Sequence, residues 1–136
     1  MNILSTGQLF ASSAPGAPRD LLQKGESVRS ATFSRDGALL AVGMASGRLR
    51  VVESAGGTTR FETDDLESPL FALAFDGEGR RLASGGADGR LRLYELASPR
   101  ADRSGIDAHA GPVFSLDVSP DGSRLVSTGA DGAARV

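Results

Sequence analysis

Short apolar runs of five or six residues recur along the chain, separated by clusters of glycine, aspartate and serine. Such punctuation marks strands joined by tight turns. Val28 to Phe33 reads as a strand, followed by Ser34-Arg35-Asp36-Gly37. An Asp-Gly turn lets the chain reach positive φ at glycine with little steric cost. Leu39 to Gly43 reads as a second strand, with Ala45-Ser46-Gly47 as its turn. Arg48-Leu49-Arg50-Val51-Val52 alternates with period two and reads as a third, and Thr58 to Glu62 as a fourth. The pattern disfavours a helix here, because glycines recur at each turn and no 3.6-residue stripe survives.

The same pattern returns twice. Val28 to Glu53, Leu70 to Glu95 and Val113 to Val136 align without gaps. Gly37, Gly79 and Gly122 are spaced by 42 and 43 residues, and so are Gly47, Gly89 and Gly132. Val51, Leu93 and Val136 keep the same interval. One four-stranded sheet per roughly 40–45 residues is the period of a β-propeller blade.

These residues resemble the WD-repeat β-propeller family. Ser119-Pro120-Asp121-Gly122 with Leu125-Val126-Ser127 is similar to the family's first hairpin and second strand. Ala87-Asp88-Gly89-Arg90-Leu91-Arg92-Leu93-Tyr94-Glu95 is similar to its third strand, with Tyr-Glu in place of Trp-Asp. Ala108-His109-Ala110-Gly111-Pro112-Val113 resembles its Gly-His lead-in. The resemblance implies a structural hydrogen-bonded set of His, Ser or Thr, Asp and Trp in each blade. On that basis the blade-locking residues expected are Ser84, Asp88, His109, Ser127 and Asp131. The match thins toward the first unit, which has Val42, Ser46 and Val52 at these places, and the chain has no tryptophan.

The implied fold is all-β, with three four-stranded antiparallel propeller units that do not close a ring as a monomer. The expected division is blade 1 over 28–68, blade 2 over 69–111 and a partial blade 3 over 112–136. Residues 1–27 hold an N-terminal strand or strands and a Pro/Gly/Ser-rich loop. There, Ser5-Thr6-Gly7-Gln8-Leu9-Phe10 resembles Ala45 to Arg50, and Asp20-Leu21-Leu22-Gln23 reads as an outer strand. This segment is a candidate for completing a blade of a neighbouring copy. The rival expectation is a fragment of a longer propeller, since propellers close with about 4–8 blades.

Composition narrows the chemistry. The chain has 136 residues, no cysteine and one histidine, which excludes thiolate sites, disulfides and histidine-cluster metal sites. Its net charge of −2 gives no field for a polyanion, so no nucleic-acid partner is expected. The N-terminus lacks the charged start and apolar run of a secretory signal, and no apolar run approaches membrane-spanning length. A cytoplasmic location and no membrane partner are therefore expected.

His109, with Asp107, Ser127 and Asp131 nearby in the repeat, has the residue types of a Ser-His-Asp triad. Geometry rather than residue type defines a triad, and the structural reading is favoured. Glu62, Asp64, Asp65 and Glu67 lack the ligand offsets of a calcium loop and read as a solvated acidic loop. Arg48, Arg50, Arg90 and Arg92 recur on the third strands and read as edge protection rather than a nucleic-acid stripe. Gly85-Gly86-Ala87-Asp88-Gly89 has neither the Lys-Ser/Thr nor the helix of a phosphate cradle. No catalytic residue, cofactor or metal is expected.

Arg29, Phe71 and Phe114 share one repeat position, the second residue of each first strand. Aromatic and arginine side chains are common interface anchors, so these three are the candidate protein-binding residues. The expected function is a non-catalytic interaction module or scaffold whose partner is another protein or a second copy of the chain. The alternatives are a fragment of an enzyme- or signalling-associated propeller protein and a remnant with no independent function.

Overall fold

A computed structural model describes residues 27–63, 68–97 and 105–136, together with the backbone of three short N-terminal strands. The described chain is all strand and turn. The N-terminal strands are β1 (Asn2–Ile3), β2 (Leu9–Ala11) and β3 (Arg19–Asp20), paired antiparallel in that order. The first repeat sheet holds β4 (Val28–Phe33), β5 (Leu39–Met44), β6 (Leu49–Glu53) and β7 (Thr59–Glu62). The second holds β8 (Leu70–Phe75), β9 (Arg81–Gly86), β10 (Arg90–Glu95) and β11 (Ile106–Asp107). The third, partial unit holds β12 (Val113–Val118), β13 (Leu125–Gly129) and β14 (Ala134–Arg135), which makes it three-stranded.

Leu9 and Phe10, aligned by sequence with the third strand of a unit, lie in the central strand of the N-terminal sheet. Phe10 pairs with Asp20, the first residue of the expected outer strand. Residues 21–23 of that assignment lie outside the described residues, as does the loop from Ser12 to Pro18. In this chain the three N-terminal strands pair with one another.

Every sheet is an antiparallel meander, so each short turn sets the register of its hairpin. The first hairpin of each unit turns at a glycine with positive φ, at Gly37, Gly79 and Gly122. Carboxylates hold the turns from inside. Asp36 accepts from the Ala38 N–H at 3.0 Å, and Asp121 accepts from the Ser123 N–H at 3.0 Å.

Packing between sheets follows from the pleat. One face of each sheet meets the opposite face of the next, so alternate residues of a strand enter different interfaces. Ala41, Leu49 and Val51 from the first repeat sheet pack with Leu70, Leu73, Leu82 and Tyr94 from the second. Ala72 and Leu91 on the other face of the second meet Val113, Leu116 and Leu125 of the third. The inner strand β8 contacts β4 on one side and β12 on the other. The units therefore stand as an open arc with their first strands side by side. No helix of the described residues is long and apolar enough to cross a membrane.

Candidate functional site

The inner wall of the arc is made by β4, β8 and β12, and each of these strands carries a bulge at the same place. The register against the partner strand slips between Val28 and Ser30, between Leu70 and Ala72, and between Val113 and Ser115. The extra residue in each case is Arg29, Phe71 or Phe114, the three predicted binding residues. A bulge leaves one residue without a partner across the strand and re-aims its side chain. Arg29 is exposed, Phe71 is half-buried, and Phe114 keeps 60% of its surface open to solvent. Because the three strands are neighbours, the bulges fall in one row across the wall. Spacing alone put these residues at one position, but it gave no sign of the bulge.

The predicted blade-locking residues fall into two sets. In the third unit, His109 Nε2 lies 2.9 Å from the Ser127 hydroxyl and Nδ1 lies 2.9 Å from Asp131 Oδ1. Asp131 also accepts from the backbone N–H groups of Ala110 and Ala133 at 3.2 and 3.1 Å. The His109 hydrogen bond and the Ala133 amide hold the Asp131 carboxyl well below the usual carboxylate range. Arg135 joins the set, donating to Asp131 Oδ2 at 3.0 Å with the same nitrogen 2.8 Å from His109 Nδ1. Sequence reasoning missed Arg135. Its signal was present in the recurrence of Arg50, Arg92 and Arg135 at one repeat position.

In the second unit the set is divided. Ser84 donates to the Tyr94 hydroxyl at 3.3 Å, with the serine fully buried. Asp88 takes Arg92 at 2.9 Å and the Arg90 N–H at 3.1 Å. Burial raises the Asp88 carboxyl, but Arg92 and the Arg90 amide outweigh it and hold the group below its ordinary value. Tyr94 meets Phe61 edge-on, with ring centroids 6.0 Å apart. Thus Ser84 and Asp88 bond to different partners, whereas Ser127 and Asp131 share one imidazole.

The Ser127–His109–Asp131 order of contacts is that of a hydrolase triad, but the nucleophile position is closed. Ser127 is 1% exposed and the His109 side chain is fully buried, so a substrate carbonyl has no approach to the hydroxyl. The imidazole also fixes the residue beneath it. A Cβ placed on Gly129 would sit 2.6 Å from His109 Cγ.

The other candidates are accounted for by local pairing. Arg48 and Arg50 reach Glu62 at 3.3 and 3.0 Å, Arg90 reaches Asp107 at 3.4 Å, and Arg92 reaches Asp88. Asp64, Asp65 and Glu67 of the acidic loop lie outside the described residues. The glycine-rich run ends in a tight turn between β9 and β10, closed by the Gly89 N–H on the Gly86 carbonyl at 3.2 Å.

Comparison with known proteins agrees with this architecture. The family model described as WD domain, G-beta repeat matches residues 60–95 and 102–136. A chain in the crystal structure of the mitotic checkpoint complex superimposes with a TM-score of 0.79 at 21% identity, over 89% of this chain. The matched part is 38% of that chain, so the protein described here spans well under half its length. No curated protein matches the sequence.

Proposed function

Because the chain belongs to the WD40 repeat family, we propose that it is a non-catalytic protein-interaction module, a scaffold whose docking surface is the row of bulged residues on the inner strands. The observation that carries this reading is the coincidence of three bulges with Arg29, Phe71 and Phe114. A cation beside two aromatic rings on a preformed wall supplies anchors at little ordering cost. In this reading the units 28–68, 69–111 and 112–136 are blades. Ser84, Asp88, His109, Ser127 and Asp131 hold them together, and the partner is another protein, met in the cytoplasm, or a second copy that extends the arc. The buried Ser127 hydroxyl favours a structural over a catalytic role for the His109 set.

The test is affinity capture of a defined partner by the wild-type chain and by Phe71→Ala and Phe114→Ala variants with unchanged circular dichroism. Loss of capture in either variant supports the surface. Wild-type capture in both overturns it.

A further inference from the structure

We propose a second binding site at the opposite end of the inner wall from the bulge row, where the first strands of the three units finish. Its occupant is an extended segment of another protein that carries an acidic residue, a large apolar residue and a basic residue in turn. The site does not depend on the surface proposed above.

The last residues of β4, β8 and β12 are Phe33, Phe75 and Val118, which share one repeat position. Because these strands are neighbours, the three residues stand in an apolar row. Phe33 keeps 45% of its surface open to solvent, and Phe75 and Val118 are half-buried. A pocket of about 290 Å³ opens on the row, with Leu73 and Leu116 in its lining. That is the lower end of the ~300–1,000 Å³ usual for ligand pockets, a size that suits one large side chain of a partner.

Two charged residues flank the row. Arg35 follows the first strand of the first unit, and Asp117 lies on the first strand of the third. Both are exposed, and neither forms an ion pair with a described residue. Asp117 Oδ1 accepts from the Val118 N–H at 3.0 Å, a bond that leaves its charge unmatched. The other carboxylate of the described lining, Asp76, is held by its own turn, accepting from the Arg80 and Arg81 N–H groups at 2.9 and 3.1 Å. A Cβ placed on Gly77 would lie 2.5 Å from the Pro120 carbonyl oxygen and 3.9 Å from Arg35 Nη1. The first turns of all three units therefore converge beside the pocket. A free cation on the first unit and a free carboxylate on the third, with apolar surface of the second between them, are complementary to a segment charged in the opposite order.

The repeat requires neither charge. Gly77 and Pro120 take the place of Arg35 in the other units, and Thr32 and Ala74 take the place of Asp117. The third-strand arginines are the contrast: Arg50, Arg92 and Arg135 recur in every unit, and each is paired with a carboxylate of its own unit.

The experiment uses the 136-residue chain and four fluorescein-labelled hexapeptides: Glu-Glu-Leu-Phe-Lys-Lys, Glu-Glu-Ala-Ala-Lys-Lys, Glu-Glu-Leu-Phe-Glu-Glu and Lys-Lys-Leu-Phe-Lys-Lys. Polarisation titrations are run on the wild type and on the Arg35→Glu and Asp117→Lys variants, with circular dichroism verifying that each keeps the fold. The expected result is saturable binding of the first peptide to the wild type, with the other three about tenfold weaker. Arg35→Glu should transfer the preference to the all-basic peptide, and Asp117→Lys to the all-acidic one. A residue that merely supported the turns would weaken every peptide alike. Amide shift changes should centre on Phe33, Phe75 and Val118. No saturable binding, equal affinity for the four peptides, or an unchanged preference in both folded variants overturns the proposal. Shifts centred on Arg29, Phe71 and Phe114 overturn this site while supporting the bulge row.

Discussion

Val113 sits directly on Gly85, so closely that a Cβ on the glycine would lie 2.7 Å from the valine Cβ. The contact joins the second repeat sheet to the third, and its counterpart, Gly43 under Leu70, joins the first to the second. Gly85→Ala is therefore expected to destabilise the chain by about 1–3 kcal/mol through overpacking. Val113→Ala in the same chain should recover part of that loss, because it removes the opposing methyls. A urea-denaturation cycle over the four chains reads the coupling, expected at ~0.5–3 kcal/mol. Additive single effects would mean that the two sheets separate freely at this contact.

His109 serves two buried or half-buried groups at once, so its removal should cost more than one hydrogen bond. His109→Ala leaves the Ser127 hydroxyl, 1% exposed, without its imidazole partner. The expected loss is about 1–3 kcal/mol, read from thermal unfolding. The same variant should raise the Asp131 pKa toward the ordinary carboxylate value, since the His109 hydrogen bond is the largest cause of its depression. A carboxyl carbon NMR titration checks this. An unmoved Asp131 titration would show that the backbone amides and Arg135 alone hold the charge.

The sequence carried the arc but not its details, for physical reasons. Strand ends were legible because turn chemistry is local: Val28 to Phe33 was predicted to the residue. The bulges at Arg29, Phe71 and Phe114 left no mark, since a bulge depends on the register of two strands and not on one strand's pattern. Nor could spacing reveal that Asp88 would take Arg92 while Asp131 takes His109. That choice turns on which side chains reach the carboxylate in three dimensions. The candidate surface was reached by equivalence of position in the repeat.

Acid should loosen the turns before the core. Asp121 is lowered from 3.8 to about 2, chiefly by the Ser119 hydroxyl and then the Ser123 amide and hydroxyl. Asp36 is lowered by the Ala38 amide and the Ser34 hydroxyl. A carboxylate whose folded pKa lies below its unfolded value binds protons more readily when unfolded. Its contribution is complete above the unfolded pKa, near 4, and is lost as pH falls toward about 2. Urea midpoints measured between pH 5 and pH 2 should fall over this window. Asp121→Asn should be less stable than wild type at pH 5 and show a shallower fall. Parallel curves would remove Asp121 from the acid response.

Tyr94 occupies the place where related repeats carry tryptophan, and two variants separate its hydroxyl from its ring. The residue is 1% exposed, its hydroxyl accepts from Ser84, and its ring meets Phe61 edge-on. Tyr94→Phe keeps the ring contact and removes the acceptor over a fully buried serine, for an expected loss of ~1–3 kcal/mol. Tyr94→Ala empties the interface between the first two repeat sheets, for an expected loss of about 3–5 kcal/mol. In a Ser84→Ala background the Tyr94→Phe cost should shrink, because both partners of the bond are then absent. Thermal unfolding of the set measures each step. If Tyr94→Phe costs the same with and without Ser84, the hydroxyl is held by other groups and the second unit is locked by its ring alone.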